Sequence, residues 1–198
     1  FLPVAIAQLG LPLMTRAFSI SHEAFERQTR VLMQSSLFIG LPLMVGFLFH
    51  NKQVLSAVGL YPKFVYGPVS MMVGAPMVVL LYIAMMLVNA ILACGRQKQM
   101  VAGTIKVAIG IPFIRAFCIY FGNLWFHNAA AGAIASDILV EVMLIVVYAT
   151  VLRAGIFTRE LTQNLGLCCA LCIPLGLAGM LPLGPLWLIA TIATIALY

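Results

Sequence analysis

The chain has 198 residues, of which 64% are hydrophobic and only 8% are charged, and its net charge is +6 at pH 7. A soluble domain is about 45–50% apolar and about 25% charged, and a domain of this size must leave much of its surface in water. The composition therefore excludes an ordinary soluble domain and predicts an all-α, polytopic bundle of transmembrane helices. The basic residues lie in short clusters between apolar runs, as in membrane loops, which argues against a nucleic-acid partner.

The apolar runs predict one transmembrane domain over residues 1–198, and several of them approach the ~20 residues that cross a bilayer. Because the chain opens at Phe1 inside one apolar run and closes at Tyr198 inside another, we expect it to be a piece of a longer protein. The missing N-terminal half would then be a partner of this half. The expected spans number about seven and cover approximately 1–18, 32–49, 65–93, 100–122, 129–152, 165–181 and 186–198.

The connector between the first two spans begins with Ser-Ile-Ser-His-Glu, which is typical of a helix start. It then carries Phe25, Val31 and Leu32 beside Arg27 and Arg30. Apolar and basic residues mixed in this way predict a short helix that lies at the membrane interface before the second span begins.

The later connectors predict an outer loop over 50–63, a tight polar turn over 95–98 and a loop over 123–128. Small residues from Gly132 to Ser136 predict a close contact between helices. Prolines recur in or beside the spans, and broken helices are tolerated only where protein or a wet cavity satisfies the freed backbone groups. This frequency favours a transporter over a passive anchor. The prolines are at positions 3, 12, 42, 68, 76, 112 and 174.

The charge of the connectors predicts the orientation of the bundle. The second, fourth and sixth connectors contain only Lys52 and Lys63, whereas the odd connectors contain seven basic residues. Cytoplasmic loops carry the excess of Lys and Arg, so the odd connectors and the C-terminus are predicted to be cytoplasmic, in the cell membrane. The seven residues are Arg16, Arg27, Arg30, Arg96, Lys98, Arg153 and Arg159.

Four charged residues lie inside predicted spans, Lys106 and Arg115 in the fourth, Asp137 and Glu141 in the fifth. Each costs roughly 2.5–3.5 kcal/mol at the bilayer centre, so such residues usually pair and face protein or water. If the two spans form a hairpin near residue 125, Arg115 matches Asp137 in depth and Lys106 matches Glu141.

The faces of the two helices limit this pairing. Asp137 and Glu141 share one face, whereas Lys106 and Arg115 point to opposite sides unless Pro112 realigns them, so only one of the two basic residues would pair. All four are candidates for a substrate or ion pathway, in which a wet cavity holds an anionic headgroup or carries a proton. The alternative is a structural ion pair, with Lys106 extending to the cytoplasmic interface.

The order of motifs resembles a known family. A span ending Leu-Pro-Leu-Met-Thr-Arg16 precedes Gly-Leu-Pro-Leu (40–43), Gly-x-Tyr-Pro (59–62), Ala-Cys-Gly-Arg-Gln-Lys (93–98) and Ala-Gly-Ala-Ile-Ala (131–135). Over roughly 1–160 this series resembles the C-terminal half of oligosaccharide flippases of the multidrug/oligosaccharidyl-lipid/polysaccharide exporter superfamily. Relatives often carry Asn in the fourth of these spans, where this chain has Arg115.

The resemblance implies one lobe of a two-lobed transporter that works by alternating access. Its substrate would be a polyprenyl-pyrophosphate-linked oligosaccharide, flipped across the cytoplasmic membrane during polysaccharide biosynthesis. A cation-coupled multidrug exporter of the same superfamily is the alternative function.

A membrane-embedded glycan polymerase or acyltransferase fits less well, because the outer loops are short and the sequence contains no Ser/His/Asp, HExxH or P-loop pattern. We therefore expect no enzyme, no catalytic residue and no cofactor. We also expect no metal site, since the cluster Cys168-Cys169-x-x-Cys172 has no His or acid near it. Buried thiols acting as small apolar fillers explain the five cysteines better.

Overall fold

The computed structural model describes residues 2–60 and 62–152, and within these ranges the chain is all-α, as the composition predicted. The predicted spans at 165–181 and 186–198 and the cluster Cys168-Cys169-x-x-Cys172 lie outside the described residues. Six helices follow one another in the described part, and no strand is found there. They are α1 (Leu2–Ile20), α2 (His22–Phe49), α3 (Asn51–Ala57), α4 (Gly67–Ala93), α5 (Gln97–Phe126) and α6 (Ala129–Leu152).

Four of these helices, α2, α4, α5 and α6, are long and apolar enough to cross a membrane. The shortest has 24 residues and the longest 30, and about 20 suffice to span the hydrocarbon core. The chain is therefore a multi-pass membrane protein. The helix α6 occupies the same residues as the predicted fifth span.

The structure corrects the expected division between the first connector and the second span. The hydroxyl oxygen of Ser21 accepts a hydrogen bond from the backbone N–H of Ala24 at 3.1 Å and caps α2, which confirms the predicted helix start. From there α2 continues without a break to Phe49, so the prediction of a separate interfacial helix was wrong. Buried residues recur three and four apart through both parts, and this continuous stripe holds them in one helix. They are Phe25, Thr29, Met33, Ser36, Leu37, Gly40, Leu41 and Val45.

Two predicted loops are shorter in the structure. The outer loop contains α3, which is followed by a turn at Gly59 with φ of 69°. The helix α5 extends to Phe126, so only His127 and Asn128 separate it from α6. Nothing in Asn123–Phe126 breaks a helix, and the chain reverses where His127 adopts a left-handed conformation with φ of 48°.

The helix α4 is central, because it packs against α1, α2 and α6, whereas α5 packs chiefly on α6. A β-carbon at Gly40 of α2 would lie 2.9 Å from the ring of Tyr82, so the glycine lets α2 approach α4 closely. The core where α1, α2, α4 and α6 meet is formed by Met14, Phe25, Met33, Leu37, Met86, Leu87, Ala90, Ile91, Tyr148 and Leu152.

Candidate functional site

Glycines bring the backbones of α5 and α6 into direct contact. A β-carbon at Gly122 would lie 2.5 Å from the Cα of Gly132, and one at Gly132 would collide with the backbone of Cys118. Farther along, a β-carbon at Gly103 would collide with the side chain of Val147. The close contact predicted for the small residues that begin at Gly132 is confirmed. These contacts set the register of the hairpin, and the register decides which charged residues lie level.

The hairpin brings Arg115 and Asp137 together. Arg115 Nη2 donates a hydrogen bond to Asp137 Oδ1 at 2.6 Å, which makes a charge-assisted ion pair between α5 and α6. The two side chains remain 54% and 42% exposed. The pair therefore lies on a flank of the α5–α6 contact rather than inside it.

The exposure of this pair constrains what surrounds it. Charged groups in spanning helices rarely face lipid tails, because the hydrocarbon cannot solvate them, so we expect the exposed part to face protein or a water-filled cavity. A guanidinium carries five N–H donors, and within the described residues Arg115 makes this one hydrogen bond. The ion pair thus holds Arg115 in place, and N–H donors of its guanidinium remain for a further anion.

Glu141 lies one helical turn after Asp137, on the same flank of α6. Its side chain is partly buried, and among the described residues it has neither an ion-pair nor a hydrogen-bond partner. Asp137 is thus paired with Arg115, whereas Glu141 beside it has no such partner among the described residues.

Lys106 does not join this group. It is exposed, and the structure forms no ion pair between Lys106 and Glu141 within the described ranges, although the two were expected to match in depth. The helix α5 continues through Pro112 and leaves Lys106, nine residues before Arg115, about 180° away around the axis. Of the four candidates, the structure joins Arg115 to Asp137, places Glu141 beside them and leaves Lys106 apart.

Sequence reasoning missed the role of Arg96. The helix α4 ends in a left-handed turn at Gly95, where the N–H of Arg96 donates to the carbonyl of Ile91 at 3.1 Å. From this turn Arg96 Nη1 donates to the carbonyls of Val151 and Leu152 at 2.8 and 3.0 Å. These two hydrogen bonds tie the turn after α4 to the backbone of α6. A glycine followed by arginine at the helix end was the available signal, but its partner is 55 residues away.

The described residues contain no group of three or more side chains that could hold a metal ion. Cys94 and Cys118 are free thiols, each only partly buried. Burial raises the pKa of the Cys94 thiol, an effect that the charge of Arg96 opposes. A thiol held in its neutral form is a poor nucleophile and a poor metal ligand.

Comparison of the chain with protein-family models, with curated proteins and with solved structures found no match in any of the three. The features that bear on function are the charged group on α5 and α6 and the membrane-spanning helices that carry it.

Proposed function

We propose that this chain is one helical lobe of a transporter that flips a polyprenyl-pyrophosphate-linked oligosaccharide across the cytoplasmic membrane during polysaccharide synthesis. The observation that carries the proposal is the half-exposed ion pair between Arg115 and Asp137, on two helices that are long and apolar enough to cross a membrane. The motif order along residues 1–160 supports the same class of transporter.

An arginine suits the headgroup of this substrate. A guanidinium can bind two oxygens of a phosphate at once, whereas a lysine ammonium acts as a point charge. Asp137 engages one nitrogen of Arg115 and orients the group. The donors that remain then bind the pyrophosphate while it crosses the apolar layer, where water cannot solvate it.

Glu141 has a separate role in the proposal. A carboxylate beside the ion pair, without a partner of its own among the described residues, is the group that binds the coupling proton or cation. A multidrug exporter could be coupled to a cation in the same way. The flippase and the drug exporter are therefore distinguished by the ligand that Arg115 binds.

The test of the headgroup contact is Arg115→Lys, introduced into the full-length gene of a strain that lacks the wild-type copy. The variant keeps the positive charge and should be expressed and inserted normally, yet glycan export should fall at least about tenfold because bidentate binding is lost. Arg16→Lys makes the same change at an exposed position and should export normally. Full export by Arg115→Lys would contradict the contact.

The test of the function itself is deletion of the whole gene. The strain should lose its surface glycan and accumulate the lipid-linked oligosaccharide on the cytoplasmic side of the membrane. Normal surface glycan together with new sensitivity to toxic organic cations would instead indicate the drug exporter.

A further inference from the structure

An apolar cleft of about 400 Å³ opens between α4, α5 and α6, near the junction of α5 and α6. The helix α5 forms one wall with an aromatic row at intervals of four residues. The ring centroids of Phe117 and Phe121 are 4.5 Å apart, and those of Phe121 and Trp125 are 5.2 Å apart. The opposite wall is made of small residues of α6, with Val73 of α4 closing one side.

Residue sizes explain why the space is open. Ala131 and Ala135 of α6 face the aromatic row, and Gly122 and Gly132 bring the two backbones together at its base. With side chains this short on one wall, the rings of the other wall have no partners across the gap among the residues that the structure describes. Atoms that line an unfilled gap lose their dispersion contacts, so the cleft favours an occupant.

The cleft is separate from the ion pair, because neither Arg115 nor Asp137 lines it and its described lining contains no charged residue. Phe117 is two residues after Arg115, and Ala135 is two residues before Asp137. Two residues correspond to about 200° around a helix, so the side chains of Phe117 and Ala135 point away from the charged group. The occupant of the cleft is therefore not the ligand held by Arg115.

We infer that this cleft binds one acyl chain of a bilayer phospholipid. The cleft lies on helices that can span a membrane, and almost all of its lining is apolar. A stable buried water needs two to four polar partners, which such a lining does not offer, whereas a hydrocarbon chain needs none. Trp125 lies near the end of α5, and tryptophan prefers the headgroup level of a bilayer, so the chain enters at that end. This inference does not depend on the proposed transport function.

The experiment places the full-length protein in bilayers that contain phosphatidylethanolamine with a photoactivatable diazirine in one acyl chain. After irradiation, mass spectrometry of the peptides locates the labelled residues. We expect the label to concentrate on Phe117, Phe121 and Ala135 and to exceed that on exposed apolar residues such as Ile109 at least about fivefold. Uniform labelling around α5, or no label in the cleft, would overturn the inference.

Two variants fill the cleft from different helices, Ala135→Phe from α6 and Val73→Phe from α4. Either should lower labelling of the cleft at least about fivefold. Ala116→Phe adds the same bulk at an exposed position outside the lining and should leave the labelling unchanged. If neither filling variant inserts into the membrane, the labelling pattern of the wild-type protein tests the inference by itself. Loss of the label on adding unlabelled polyprenyl phosphate would assign the cleft to a carrier lipid and contradict the proposal.

Discussion

The ion pair of Arg115 and Asp137 is where single residues have the clearest consequences. Removing one partner leaves the other charged at membrane depth, which costs about 1–3 kcal/mol. We expect Arg115→Ala and Asp137→Ala each to destabilise the protein, and the double variant to be more stable than the sum of the two effects predicts, by at least about 1 kcal/mol. Unfolding in detergent measures this coupling energy.

A second cycle provides the control. Lys106 has no ion pair within the described ranges and points away from Asp137, so Lys106→Ala and Asp137→Ala should be additive within about 0.5 kcal/mol. Coupling of equal size in both cycles would mean that a general charge effect acts, rather than the 2.6 Å contact.

His50, between α2 and α3, predicts a dependence of stability on pH. Burial lowers the pKa of this histidine below its ordinary value of 6.5. Because the unfolded chain then binds the proton more readily, stability should fall as the pH drops below 6.5 and should level off below the folded-state pKa. The melting temperature in detergent at pH 7.5 and pH 5.5 measures this change.

His50→Gln should reduce the loss of stability on acidification, because a neutral side chain replaces the group that titrates. His127→Asn changes an exposed histidine, and asparagine tolerates its left-handed backbone. That control should keep the full dependence, and an unchanged dependence in His50→Gln would refute the assignment.

At the scale of helices, the contact of α5 with α6 depends on Gly132. A β-carbon there collides with backbone, which cannot move aside as a flexible side chain can. Gly132→Ala should therefore destabilise the hairpin by about 1–3 kcal/mol. Gly46→Ala is the control, because a β-carbon at Gly46 meets nothing within 4 Å and should be neutral or stabilising by up to about 1 kcal/mol. Equal melting temperatures for the two variants would contradict this geometry.

The hydrogen bonds from Arg96 to the backbone of α6 make a second prediction about helices. Arg96→Ala removes the donors to the carbonyls of Val151 and Leu152, and a hydrogen bond from a charged group contributes about 1.5–3 kcal/mol. Amide hydrogen exchange should increase around these carbonyls, at residues 149–152 of α6. Lys98→Ala removes an exposed positive charge two residues away and should leave that exchange unchanged. If both variants increase exchange alike, the positive charge near the turn would explain the effect and the hydrogen bonds from Arg96 would not.

The orientation of the whole molecule can be tested by labelling from outside the cell. The helix α4 separates α3 from the start of α5, so Gln53 and Gln97 lie near its opposite ends. The excess of basic residues in the odd connectors predicts that Gln97 is cytoplasmic and Gln53 external. An impermeant thiol reagent should label a cysteine at Gln53 and miss one at Gln97, and both should react after permeabilisation. The reverse pattern would invert the bundle and remove support for the proposed transporter.

Much of the fold could be predicted because its signals are local. The run of apolar residues defines α6 from Ala129 to Leu152, and Ser21 marks the start of α2. The continuity of α2 from its polar first part into its apolar part could not be predicted in the same way. A change from polar to apolar composition looks like a boundary, but the buried stripe from Phe25 to Val45 continues across it.

The sequence by itself determined the membrane class, the helical content and the presence of four charged residues inside predicted spans, because composition and run length depend on no distant contact. Only the tertiary structure decided that Arg115 meets Asp137, that Lys106 stays apart from Glu141, and that Arg96 donates hydrogen bonds to the backbone of α6. Hydropathy specifies how long a helix is but not how it is rotated about its axis. That rotation is set where the backbones touch, at Gly122 and Gly132, and it determines which side chains can reach one another.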